Sequence, residues 1–224
     1  SCAYAKLPVK LVGTDPGISA AYNGGTHMPF EDIGIMRTVP NLDIVEPSDP
    51  VSLKALVGAL AASGKPGYLR LHRKAIEPLY GADETFTLGK GKLLREGGDV
   101  LIVALGAILV PAAMAAAKAL EAEGIHASVI DALSAKPIDA ELILAWARKT
   151  GAVVTAENHQ LSGGFGSAVA ELLAETGIAR LARVGVEESF GEVGTQDYLA
   201  KRFGLTAEAI AQKAKTLLAK RITP

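Results

Sequence analysis

The chain has 224 residues and a mass of 23.1 kDa, room for one large domain or two small ones. It is 49% hydrophobic and 21% charged, with a formal net charge of −1 and aromatics at 5%, a balance that speaks against a nucleic-acid partner or an anionic membrane surface. A single cysteine, Cys2, excludes an intramolecular disulfide framework and fits a reducing cytoplasm, and no apolar run reaches the roughly 20 residues that span a bilayer.

Residues 10–13 ("KLVG") read as a short strand, reached so soon after Ser1 that sequence upstream of it is expected to belong to the same domain. A glycine-rich loop follows over residues 14–27 and ends in "GGTHMPFED". Glycines free the backbone, while proline and acids suit the start of a helix. His27 is therefore expected where a loop turns into a helix over residues 29–39, a place where side chains meet ligands. "LDIVE" (42–46) reads as a buried strand, and "PSDP" offers Ser48 or Asp49 as an N-cap with Pro50 at the first helical position. Leu53, Leu56, Val57 and Leu60 mark one apolar helical face. "YLRL" (68–71) is a third strand, and the strand–helix alternation implies parallel pairing.

Residues 75–98 are mixed in charge, carry several glycines and read as a linker, with a short hairpin as an option. A second α/β unit spans 99–224. Its strands are expected at 99–106, 126–132, 152–157 and 179–186, with helices between them and two more at the end of the chain. The fold class is thus α/β: two parallel or mixed-sheet, three-layer units, the first (1–74) incomplete at its N-terminus. Three strands alone would leave apolar faces and edges uncovered.

Ligands in open α/β sheets bind beyond the carboxyl ends of the strands. Two loops qualify: residues 14–27, and "ENHQLSGGFG" (157–166). In the second, backbone N–H groups ahead of a helix could hold an anion, although "GGFG" matches neither a dinucleotide fingerprint nor a Walker loop. Glu157 and His159 beside it form a candidate acid–base pair, against the plainer reading of solvated loop residues. In "YLRLHRK", a basic residue at a strand's carboxyl end could grip phosphate or carboxylate, the alternative being a solvated charge. The four histidines are scattered without metal-ligand spacing.

In their order, these pieces resemble the transketolase family. The markers are Gly-x-Thr-His, the Glu-Asp after it, Met-Arg, Pro-Asn and Pro-x-Asp in residues 7–50, then "AENHQLSGGFGSAVAELLAE" and "FGEVGTQDYLAKRFGLTAEAI". The resemblance covers nearly the whole chain as the second half of a pyrimidine-binding domain plus a C-terminal domain. It implies ketol transfer between sugar phosphates with thiamine diphosphate and Mg²⁺ in the complete enzyme. His27 matches a histidine facing the substrate, and Arg73 matches an arginine that grips the acceptor's phosphate. Two positions depart from the pattern: Asn23 replaces an aspartate that reads a donor hydroxyl, and Asp15 stands where a phosphate-binding histidine is usual. The residues that activate and hold the cofactor are expected upstream of Ser1 and on an N-terminal section or subunit. A homodimer or heterotetramer follows from that, and the fragment alone is expected to be inactive and to hold no cofactor. Competing expectations are a 2-oxoacid dehydrogenase β-type or deoxyxylulose-phosphate-synthase-type enzyme, and a non-catalytic assembly module.

Overall fold

The computed structural model describes residues 1–219. Its second half is built on "VLIVA", strand β5 (Val100–Ala104), every residue of which is buried. Alternation along that strand sends Val100, Ile102 and Ala104 into one apolar cluster and Leu101 and Val103 into another. Helices therefore cover both faces, which is the condition for a parallel strand with no polar side. Helices α3 (Gly106–Ala122) and α7 (Ala207–Ala219) lie on the first face, and α4 (Ala140–Thr150) and α5 (Phe165–Thr176) on the second. Parallel strands β6 (Ala127–Asp131), β8 (Ala152–Gln160) and β9 (Arg180–Val186) complete the sheet together with antiparallel β4 (Lys92–Arg95), in the order β4-β6-β5-β8-β9.

The first unit contributes β1 (Lys10–Thr14), β2 (Asp43–Val45) and β3 (Gly67–Leu71), all parallel, with helices α1 (Asp32–Arg37) and α2 (Pro50–Ala62). Its sheet gains a fourth strand, β7 (Ser134–Lys136), lent antiparallel to β2 by the second unit, in the order β1-β3-β2-β7. The two units also share their cores. Ile18, Met28 and Phe30 pack with α3 and α7 residues, and Ile33, Ile44 and Tyr68 pack with α4 and α5 residues. β1 is one edge of the sheet, with Leu11 and Val12 about half exposed.

Several sequence expectations shift. α1 begins at Asp32 and not at Pro29, because Met28 and Phe30 are drawn into the core before the helix starts. β8 runs past its expected end at Glu157 to Gln160, so Asn158 and His159 are strand residues too, and Glu157 and His159 are buried and not solvated. No hairpin forms in residues 75–98; Lys92–Arg95 pairs instead with β6. β7 was invisible as a strand, being three residues with no periodicity of their own. α4 ends as expected, at a left-handed Gly151.

Asp49 ties the join. It caps α2 by accepting from the Ser52 N–H at 2.7 Å, while Ser52 Oγ accepts from the Asp49 N–H, a reciprocal capping box. Its other oxygen accepts from the N–H groups of Leu79 and Tyr80 at 2.9 and 3.1 Å. Tyr80 in turn donates its hydroxyl to Asp131 at 2.7 Å. Asp49→Ala is expected to cost more than a lone cap, about 2 kcal/mol or above, measured by urea unfolding. Burial pushes the Asp131 carboxyl up to about 7, so its neutral form is the one the fold favours. For an acid shifted upward, that contribution is complete below the ordinary carboxylate range and is lost as pH climbs through about 7. Asp131→Asn is accordingly expected to flatten the decline in melting temperature between about pH 5 and about pH 8.

Candidate functional site

The loop after β1 is shaped by two consecutive constraints. Asp15 and Gly17 both adopt left-handed backbone angles (φ 56° and 52°), and the Asp15 N–H donates to Leu71 O of β3 at 3.0 Å. Gly17 has no alternative residue: a Cβ there would overlap the Asn158 amide. That amide clasps the turn, donating to Pro16 O at 2.9 Å and accepting from the Ile18 N–H at 3.0 Å. Two 3₁₀ turns follow, Gly17–Asn23 and Gly25–His27. His27 thus closes a 3₁₀ turn, several residues before α1 begins. It is exposed, with Nδ1 3.0 Å from Thr26 Oγ1, and Asn23 is exposed on the same loop. Gly25 rests on the Gly191 carbonyl and Met28 packs on Gly191, so residues 187–194 back this loop.

Asp15 and Arg73 meet. They leave the carboxyl ends of adjacent strands β1 and β3, and Arg73 Nη1 lies 3.0 Å from Asp15 Oδ2. The aspartate side chain is only 12% exposed and the arginine 69%. Next to Arg73, His72 Nε2 lies 3.2 Å from Gln196 Oε1, at the start of α6 (Gln196–Arg202).

Sequence reasoning passed over the densest polar cluster. Arg70 on β3 is wholly buried. It donates to Asp32 through Nε (2.8 Å) and Nη2 (3.2 Å), to both Glu46 oxygens through Nη1 (3.0 Å each), and to Asn158 O at 2.8 Å. Tyr68 OH adds a 2.7 Å bond to Asp32. Asp32 therefore serves Arg70 and not the dipole of α1. Burial alone would raise Asp32, but Arg70 and Tyr68 hold it below the ordinary carboxylate range. At Glu46 burial prevails and pushes the group up. The signal that could have revealed the cluster is the charge set within or at the end of apolar strands: Arg70 in "YLRL", Glu46 after "LDIV", Glu157 after "AVVTA".

The glycine-rich turn is likewise occupied from within. Glu157 accepts from the N–H groups of Phe165 (2.6 Å) and Gly166 (2.8 Å) at the start of α5, so the anion expected there is the chain's own. Burial still pushes Glu157 up to about 7 against those donors. His159 accepts from the Gly34 N–H at Nε2 (3.1 Å), which leaves Nδ1–H to donate to Gln160 O (2.8 Å). Burial lowers its pKa and keeps it neutral. With Nδ1 3.9 Å from Glu157 and both groups buried, the pair is a packed strand feature and not an open acid–base couple.

The family model for the transketolase pyrimidine-binding domain matches residues 2–78, and that for the transketolase C-terminal domain matches residues 89–210. The chain belongs to the transketolase family. It is 50% identical over 214 residues to the 6-deoxy-6-sulfo-D-fructose transketolase subunit SqwH of Clostridium sp. (strain MSTE9), covering 96% of this chain and 66% of that protein. It is 40% identical to a putative transketolase C-terminal section of Methanocaldococcus jannaschii, covering 94% of this chain and again 66% of the relative. Among solved structures, a split gene transketolase described as an inactive beta4 tetramer superposes with a TM-score of 0.91 at 43% identity, over 98% of this chain and 70% of that one. The chain thus spans about two-thirds of the length of these two curated relatives.

The family is thiamine-diphosphate-dependent, which makes the donor set of this transketolase section a direct test of fit. Among the described residues no group of three or more His, Cys, Asp or Glu side chains is gathered to hold a metal ion. The α5 N-terminus is filled by Glu157, and the Glu46 carboxylate lies against Gly106, the first residue of α3. These residues do not fit a diphosphate–metal group. What they present to solvent is a histidine, an amide and a guanidinium. Removing the guanidinium that neutralises the buried acids, as in Arg70→Met, is expected to destabilise the chain by about 3–5 kcal/mol in denaturant titrations, whereas Arg73→Met is expected to change stability by less than about 1 kcal/mol.

Proposed function

We propose that this chain is the C-terminal part of a thiamine-diphosphate-dependent, transketolase-like enzyme that moves a two-carbon ketol unit between sugars bearing an anionic terminus, phosphate or sulfonate. The observation that carries the reading is the uninterrupted order of the two family domains, separated only by residues 79–88, together with 50% identity to a sulfofructose transketolase subunit. Diphosphate and Mg²⁺ are held by an N-terminal section or subunit in this reading, so the chain alone is inactive. The cofactor supplies the electron sink for carbon–carbon cleavage.

The chain's own residues supply recognition and proton handling. His27 stands on a backed, glycine-flanked turn and is exposed. An imidazole there can exchange a proton with a sugar hydroxyl at one ring nitrogen. The Asn23 amide hydrogen-bonds a donor hydroxyl in either direction without placing a charge there. Arg73 binds the anionic terminus. The assembled enzyme is a homodimer of fused chains or a heterotetramer of split ones, and works in the cytoplasm.

Mixing the full chain with its N-terminal section, thiamine diphosphate and Mg²⁺ is expected to restore ketol transfer from a ketose donor to an aldose phosphate; either polypeptide alone should be silent. An assembled, cofactor-loaded mixture that transfers nothing from either phosphorylated or sulfonated ketoses would sink the reading. In the active mixture, His27→Ala is expected to lower kcat/KM by about 100-fold, with assembly unchanged by size-exclusion chromatography.

A further inference from the structure

Arg73 is an exposed cation at the mouth of the first sheet, yet it is already ion-paired. Its partner Asp15 has little freedom to leave. The aspartate backbone is in the left-handed region, its N–H is bonded to Leu71 O, and its side chain is largely buried while Arg73 is largely exposed. Strained, over-determined residues of this kind gather at ligand sites. Aspartate tolerates left-handed angles better than most residues, but asparagine and glycine tolerate them at least as well, so the turn alone does not demand a carboxylate. Among the described residues Arg73 has no ion-pair partner except Asp15. The rest of its guanidinium fork faces solvent beside exposed Lys74 and a cleft of about 350 Å³ that His72, Arg73 and Lys74 help to line.

An anion approaching the open side of Arg73 meets the guanidinium first and the fixed Asp15 carboxylate behind it. A singly charged terminus, such as a sulfonate, feels that repulsion once. A phosphate monoester carries about −1.5 to −2 at neutral pH and feels it nearly twice. We infer that Asp15 is a specificity-determining residue, whose ion pair with Arg73 tunes the strand-end site toward singly charged sugar termini and against phosphate dianions. The inference rests on the proposed ketol transfer for its substrates, but its physical content is a charge preference that binding alone can read.

Two measurements on Asp15→Asn test it, asparagine being chosen because it accepts the left-handed turn. In the chain with its N-terminal partner, the ratio of kcat/KM for phosphorylated over sulfonated ketose is expected to rise about tenfold. On the full chain by itself, NMR titration with glycerol phosphate and with propanesulfonate should show glycerol phosphate gaining about tenfold in affinity and propanesulfonate markedly less. Arg73→Gln is expected to weaken both probes. An unchanged ratio in an active complex, or equal gains for both probes, would overturn the inference. Failure of the wild-type complex to transfer ketol units, alongside the expected shift in probe binding, would refute the proposed reaction and leave the charge preference standing.

Discussion

A fully buried guanidinium organises this chain. Burying a charge without partners is prohibitive, so Arg70 requires acceptors on all sides. It finds them on three separate segments: Asp32 on α1, Glu46 at the end of β2, and the carbonyl of Asn158 on β8. Two of these belong to the first unit and one to the second. Such a cluster adds little net stability compared with an apolar core, but it tolerates few alternative arrangements. Its consequence is positional. Asn158 bonds Arg70 through its backbone and the Pro16–Ile18 turn through its side chain, so the loop that carries Asn23 and His27 is registered against the second sheet.

The same economy of internal charges fills the helix N-termini at the end of the second sheet. At the carboxyl end of the second sheet, helix N-termini would ordinarily be anion sites. Here Glu157 covers α5, and Glu46 lies on Gly106 at the first turn of α3, a position whose positive φ and absence of a Cβ let the carboxylate approach. The second unit spends its strand ends on holding the first unit in place. The ends of β1 and β3 carry the exposed Asn23, His27 and Arg73.

How much of this was readable in advance depended on the range of the interaction. The apolar runs 100–104 and 152–156, the capping box at Asp49 and the Gly151 stop are local, and each declares itself within a few residues of sequence. The pairing of Asp15 with Arg73 was legible only as two residues at the ends of neighbouring strands, not as an ion pair. Arg70 and Asn158 stand 88 residues apart, and nothing near either one announces the other. The burial of Glu157 and the strand position of His159 were missed for a related reason. Polar residues following an apolar run look like the start of a loop, and only the partners waiting for them, the N–H groups of Phe165, Gly166 and Gly34, let β8 continue through them.

Strand β3 and its exit make the division of labour concrete. Arg70 and Arg73 are three residues apart, carry the same side chain and have opposite environments. Arg70 is met by two carboxylates and a carbonyl, leaving no capacity for a ligand. Arg73 is met by one carboxylate and keeps most of its fork in water. A planar guanidinium can serve both ends because it stays charged when buried and still offers directed donors when exposed. The parallel register makes the contrast possible: β1 and β2 flank β3 on either side, so an acid at the end of each neighbour, Asp15 and Glu46, comes within reach of a different arginine. The inner pair fixes the sheet, and the outer pair stays at the surface with most of its guanidinium in water.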